Sequence, residues 1–181
     1  MSFAKLILFA LLLQLAACGG GVSDDLLPSG EDRRPDVEPG TVGTQVGQIS
    51  LDFSVQDTLD NTHVLSTELA SADAVVLYFT MWCPICDSHT SHMRSMIIPD
   101  FPMVRFFLVD YVSGAISTSR AAQLANGYGT STVLVDTHQA LFNLYNASMG
   151  TVVVIDSTGV VQLNEDYKDG VKLRDTLDAL P

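Results

Sequence analysis

Basic residues are scarce. Only 9 Lys and Arg stand against 21 Asp and Glu, a net charge of −12, so a phosphate backbone is repelled and nucleic-acid binding drops out as a class. No basic stripe with interleaved aromatics occurs. The acidity implies solubility and little adhesion to anionic surfaces, and it names no substrate. Charged residues of both signs make up 17% of the 181 residues and hydrophobic residues 47%. That balance excludes a wholly disordered chain and leaves about one domain's worth of core-forming sequence. Cysteine is scarcer still, at three residues. The count is odd, and the positions divide it: Cys18 stands alone, while Cys83 and Cys86 form a pair. No internal repeat is present.

The run Leu6-Ile7-Leu8-Phe9-Ala10-Leu11-Leu12-Leu13 is shorter than the ~20 residues of a membrane-spanning helix. With Lys5 before it and small residues after it, residues 1–17 read as a secretory signal peptide. The closing Leu15-Ala16-Ala17-Cys18 resembles the lipobox of bacterial lipoproteins. That resemblance implies removal of residues 1–17 and acylation of Cys18, with the mature chain anchored to a cell-envelope membrane and facing the periplasm or exterior. Gly19 in place of Asp disfavours retention in an inner membrane by the same resemblance. An ordinary cleaved signal with an incidental cysteine is the rival reading. Outside the cytoplasm, disulfides persist.

Residues 18–45 carry glycines at 19, 20, 21, 30, 40 and 43, prolines at 28, 35 and 39, many acids and no aromatic. Such a stretch reads as a flexible, lipid-anchored linker, which leaves 46–181 as the folded domain. There, Leu51-Asp52-Phe53-Ser54-Val55 alternates in period two, and Ala74 to Phe79 is a continuous apolar run, the mark of a strand buried on both faces. A helix is expected from Pro84 to Ile98, ending before Pro99, then a strand over Met103–Val109. A helix over Ser117–Asn126 closes at Gly127, a strand follows over Thr132–Val135, and a short helix spans Gln139–Tyr145. Thr151–Ile155 and Val160–Leu163 flank the turn Asp156-Ser157-Thr158-Gly159, and Val171–Leu180 is a closing amphipathic helix. The pattern predicts an α/β fold with a mixed central sheet flanked by helices.

Between the first buried strand and its helix lies Met81-Trp82-Cys83-Pro84-Ile85-Cys86. A helix N-terminus carries partial positive charge and free N–H groups, which favour a thiolate over a thiol. Pro84 suits the first turn, because it lacks a donor that would go unused. Two intervening residues let one sulfur reach the other, so Cys83 reads as the exposed nucleophile and Cys86 as the resolving thiol. A disulfide with no turnover is the plain alternative, and half a zinc site is another. Cys83, Cys86, His89 and His92 are spaced by three, which rotates each ~300° from the last. His92 then points away from Cys83, so zinc through all four is disfavoured. Solvent-facing side chains are the default for both histidines, and for His63 and His138.

These residues resemble the thioredoxin superfamily, especially the membrane-anchored thiol–disulfide oxidoreductases of the TlpA/ResA type, over roughly residues 46–181. The cues are Asp52-Phe53 in an opening hairpin and Tyr78-Phe79-Thr80-Met81-Trp82-Cys83-Pro84-Ile85-Cys86 at the site. Val109-Asp110, Leu134-Val135-Asp136 and Val154-Ile155-Asp156-Ser157-Thr158-Gly159 add weaker ones. The resemblance implies a thioredoxin-like fold with an N-terminal hairpin extension and exchange of the Cys83–Cys86 disulfide with protein thiols. It also implies a redox partner that resets the pair, and no organic cofactor. Trp82, Pro84, Ile85, Met149 and Gly150 would line the site, with Trp82 shielding it.

Two departures stand out. Thioredoxins carry a buried acid six residues before the first cysteine, where this chain has Leu77. They place a cis-proline before the late strand, facing the disulfide, where this chain has Gly150; a proline restored there is expected to leave or raise the rate of disulfide reduction, provided the loop accepts the cis bond. The departures keep two alternatives open. Sco-type copper chaperones share the fold, and Met149 could complete a Cu(I) site with Cys83 and Cys86, although their cysteines are separated by three residues. Peroxiredoxins place a threonine three residues before the reactive cysteine, as Thr80 stands here, but also need a proline near Val76, which is absent.

Overall fold

The computed structural model describes residues 37–181; the expected signal peptide, Cys18 and most of the expected linker lie outside the described residues. A two-stranded antiparallel hairpin opens the domain, β1 (Ser54–Gln56) with β2 (Thr62–Val64), followed by the short helix α1 (Leu65–Leu69). The strand β3 (Ala74–Thr80) is the axis of the main sheet, and all seven of its residues are buried. Its parallel neighbour is β4 (Val104–Asp110), which pairs in turn with β5 (Thr132–Val135), also parallel. On the other side β6 (Thr151–Asp156) and β7 (Val161–Asp166) run antiparallel, so the order is β5-β4-β3-β6-β7. The remaining helices are α2 (Pro84–His92), α3 (Ile116–Ala125), α4 (Ala140–Leu144) and α5 (Val171–Asp178).

The continuous apolar run of β3 is required by covered faces on both sides of the sheet. Successive side chains point to opposite faces. Ala74, Val76 and Tyr78 enter one core with Met93, Ile97, Leu173 and Leu177. Val75, Leu77 and Phe79 enter a second with Leu65, Leu69, Leu141 and Tyr145. The helix after the cysteines does not stop before Pro99, as expected. Past His92 it widens into a π-turn over Met93–Ile97 and then tightens into a 3₁₀ turn over Ile98–Asp100, with Pro99 in the first turn of that last segment. A proline there needs no donor. The described residues at the end of the expected linker meet the domain: Gly40 N–H donates to the Gly47 carbonyl, Ile49 N–H to Thr41 and Gly47 N–H to Val161.

His63, expected at the surface, is wedged between two carboxylates. Its Nδ1 is 2.7 Å from Glu68 Oε1 and its Nε2 is 3.1 Å from Asp57 Oδ2. Burial alone would lower its pKa, but the bonds to Glu68 and Asp57 outweigh burial and raise it. A raised folded-state pKa stabilises the fold fully below the unfolded value, about pH 6.5, and the contribution disappears as pH rises through the folded value. Urea midpoints should therefore fall across that window in the wild type, and the fall should shrink in His63→Gln. Equal slopes in both proteins would refute this. His138 is exposed, as expected.

Candidate active site

Cys83 sits at the N-cap of α2 in extended conformation, φ −89° and ψ 162°, and Pro84 takes the first helical turn. Cys83 and Cys86 are joined as a disulfide with Cα atoms 5.0 Å apart. The Cys86 N–H donates to Cys83 Sγ at 3.2 Å, one of the donors that helix geometry leaves free at this end. The two cysteines differ in access. Cys86 is 1% exposed, whereas Cys83 is half-buried. Met81 and Ile85, which flank Cys83 in the chain, are 45% and 55% exposed, and Pro84 is exposed as well.

Trp82 adopts φ 60°, a left-handed conformation unusual for a bulky residue. Its N–H donates to Thr80 Oγ1 at 3.2 Å, and its indole Nε1–H donates to Asp110 Oδ2 at 2.8 Å. Thr80, a candidate peroxidatic partner by resemblance, is 2% exposed and caps this turn. The indole stacks on Tyr128 at a centroid distance of 6.4 Å. Tyr128 in turn hydrogen-bonds the Asp87 carboxylate in the first turn of α2 and carries the Arg94 guanidinium over its ring. Asp110 is fully buried. Burial would raise its pKa, but hydrogen bonds from Ser113 and Trp82 reverse that and hold the carboxyl below its ordinary value. Sequence spacing gave no sign of these partners, since β4 delivers Asp110 to the site by pairing it with Thr80.

On the other side of the site, Leu77 is 0% exposed within the second core and has no polar role. Gly150 is buried with φ 88°, its N–H donates to the Phe79 carbonyl at 3.0 Å, and its own carbonyl accepts from Tyr167 N–H at 2.8 Å. A proline cannot take that φ or supply that N–H, so this backbone does not meet the condition on which a proline at Gly150 was expected to work. Met149 is half-buried. The groups nearest the open side of Gly150 are the His89 imidazole and the Tyr78 hydroxyl. His89 and His92, expected to face solvent, are instead half-buried. The Nδ1 of His89 is 3.0 Å from Tyr78 OH, and that of His92 is 2.6 Å from Tyr167 OH. Among the described residues no group of three or more His, Cys, Asp and Glu is arranged to hold a metal ion.

No family model matches this chain, and no curated protein matches it. Solved structures do. A Chlorobium tepidum protein provisionally named thiol:disulfide interchange protein DsbE matches with a TM-score of 0.64 at 20% identity, over 76% of this chain and 99% of that one. A secreted Mycobacterium tuberculosis disulfide oxidoreductase homologous to DsbE matches with a TM-score of 0.55 at 18% identity, over 71% and 96%. The peroxidoxin BcpB of the same organism gives 0.61 at 21%, over 76% and 99%. With its five-stranded mixed sheet, flanking helices and cysteine pair at the start of α2, this chain has the thioredoxin-like fold.

Proposed function

We propose that this chain is a thiol–disulfide oxidoreductase that works outside the cytoplasm, tethered through a lipid on Cys18, and exchanges its Cys83–Cys86 disulfide with protein thiols. One observation carries the redox reading: a half-buried Cys83 accepts an N–H at its sulfur at a helix N-cap while its partner Cys86 is buried. That asymmetry supports Cys83 as the attacking thiol and Cys86 as the resolving one. In the reducing direction the Cys83 thiolate attacks a substrate disulfide, forming a mixed disulfide and releasing one substrate sulfur as thiolate. Cys86, deprotonated, then attacks Cys83 Sγ. The Cys83–Cys86 bond forms, the second substrate sulfur leaves, and two electrons have passed from the protein to the substrate. Exposed Met81 and Ile85 offer apolar contact to an unfolded or extended polypeptide. No organic cofactor enters the reaction; a partner protein of lower potential must reset the pair.

The reduced protein should cleave the disulfides of a test substrate such as insulin, in a reaction that stops when its dithiol is consumed and resumes on re-reduction. Consumption of peroxide without disulfide cleavage would favour a thiol peroxidase. Tight Cu(I) uptake by the reduced pair, weakened by Met149→Ala, with no turnover, would favour a metal carrier. The tether is checked on native protein, whose mass should correspond to an acylated start at Cys18.

A further inference from the structure

The resolving step leaves a proton to be placed. Cys86 is 1% exposed, and its thiol must lose a proton before its sulfur can attack Cys83. The position that holds an acid in thioredoxins is the apolar Leu77. Asp110 already accepts from the Trp82 indole and from the N–H groups of Val112 and Ser113. Asp87 is engaged by Tyr128. His89 remains. It lies three residues beyond Cys86 on α2, the spacing that makes two side chains neighbours on a helix surface.

The surroundings of His89 are built around its ring. Gly150 lies beside the imidazole, where a Cβ would meet Nδ1 at 3.7 Å and Cε1 at 3.8 Å, ordinary contact distances. Tyr78 OH lies 3.0 Å from Nδ1, and the Tyr167 ring centroid lies 4.8 Å from that of the imidazole. We propose that His89 is the proton acceptor for Cys86, oriented by Tyr78 over Gly150. The assignment rests on the oxidoreductase reading of the pair. In this step the Cys86 S–H proton passes to the imidazole, and the thiolate attacks Cys83 Sγ of the mixed disulfide. The Cys83–Cys86 bond forms as the bond to the departing sulfur breaks. The leaving thiolate, or solvent, then takes the proton from the imidazolium. The tautomer this step requires has Nδ1–H donated to the Tyr78 oxygen, which leaves the Nε2 lone pair to take the proton.

Electrostatics agree with this geometry. Burial, with a smaller effect from neighbouring His92, lowers the His89 pKa, which holds the ring in the neutral form that can accept a proton. The groups facing it are Tyr78 from β3, Tyr167 beyond β7 and His92 on its own helix. Burial pushes the Tyr78 hydroxyl far above its ordinary value and that of Tyr167 up to about 12, so neither phenol ionises in the working range.

The test isolates the resolving step. Reduced protein is mixed with the symmetrical disulfide of thionitrobenzoate: attack by Cys83 releases one coloured thiol and leaves a mixed disulfide, and release of the second coloured thiol reports attack by Cys86. In the wild type the rate should rise with pH and level off below the ordinary histidine value. His89→Gln can still hydrogen-bond Tyr78 but cannot take the proton. It should release the thiol about a hundredfold more slowly near neutrality, with its pH dependence displaced toward an unassisted thiol at ~8.5 or above. An unchanged rate and profile in a folded His89→Gln would overturn the proposal. Should that variant not fold, Tyr78→Phe decides: it keeps the imidazole and should move the same inflection, and an unmoved inflection overturns the proposal. A wild type that releases the small thiol rapidly but cleaves no protein disulfide would sink the oxidoreductase reading and leave this assignment standing.

Discussion

Replacing Cys83 by serine should abolish exchange with protein disulfides, by at least about a thousandfold, whereas Cys86→Ala should turn the protein into a trap. The difference follows from access. Cys83 is half-buried at the N-cap, where the Cys86 N–H reaches its sulfur; Cys86 is sealed from solvent. Without Cys83 no substrate sulfur can be engaged, because Cys86 cannot reach one. Without Cys86 the first attack still proceeds, but nothing resolves the mixed disulfide. Non-reducing electrophoresis after mixing with a disulfide-containing protein should therefore show a covalent adduct for Cys86→Ala and none for Cys83→Ser. In the reduced wild type the thiol with the lower pKa, below ~8.5, should be Cys83 by alkylation titration. Adducts through Cys86 in the Cys83→Ser protein would reverse the assigned roles.

Gly150→Pro should destabilise the domain by more than about 3 kcal/mol. Two effects act together. The native φ of 88° lies far from the −65° that the pyrrolidine ring imposes, and the N–H lost to proline is the one that ties Gly150 to Phe79. Gly150→Ala separates the two. Its added Cβ meets only ordinary contacts, at 3.7 Å and beyond, and the N–H survives, leaving a left-handed backbone that costs roughly 1–2 kcal/mol. Urea denaturation of the two variants against wild type should rank them in that order. A proline variant as stable as wild type would show that the loop before β6 can rebuild itself around a different backbone.

The central elements were legible because their signals are local. Ala74 to Phe79 is an unbroken apolar run, and Cys83-Pro84 marks a helix start by cap chemistry. The hairpin was harder. Its strands are three residues each, and β2 is Thr62-His63-Val64, with little apolar alternation to show. The end of the helix beyond the cysteines was misread because the π-turn shifts the hydrogen-bond pattern, allowing Pro99 inside a helical segment. At the site the cysteine pair and Trp82 were readable from spacing. Asp110, Tyr128 and the seat of His89 were not, since each depends on sheet register or on chain segments far apart in sequence. Gly150 shows both sides of this. Sequence placed it where a proline was expected, yet only the fold revealed that the His89 imidazole lies beside it.

The segment that precedes β3 does something for the sheet as a whole. β5 and β7 are its two margins. Along β7, Gly47 N–H reaches Val161, Val161 N–H returns to Gln48, and Ser50 N–H reaches Gly159 beside it. Along β5, Thr58 N–H reaches Val133, and Asp57 bridges Leu134. Exposed margins are templates for uncontrolled strand pairing. A protein that exchanges disulfides with unfolded, thiol-bearing chains, as we propose, would meet the species most ready to exploit them. By covering part of each margin with its own backbone, this chain would confine such encounters to a sulfur and withhold the ladder on which aggregates grow.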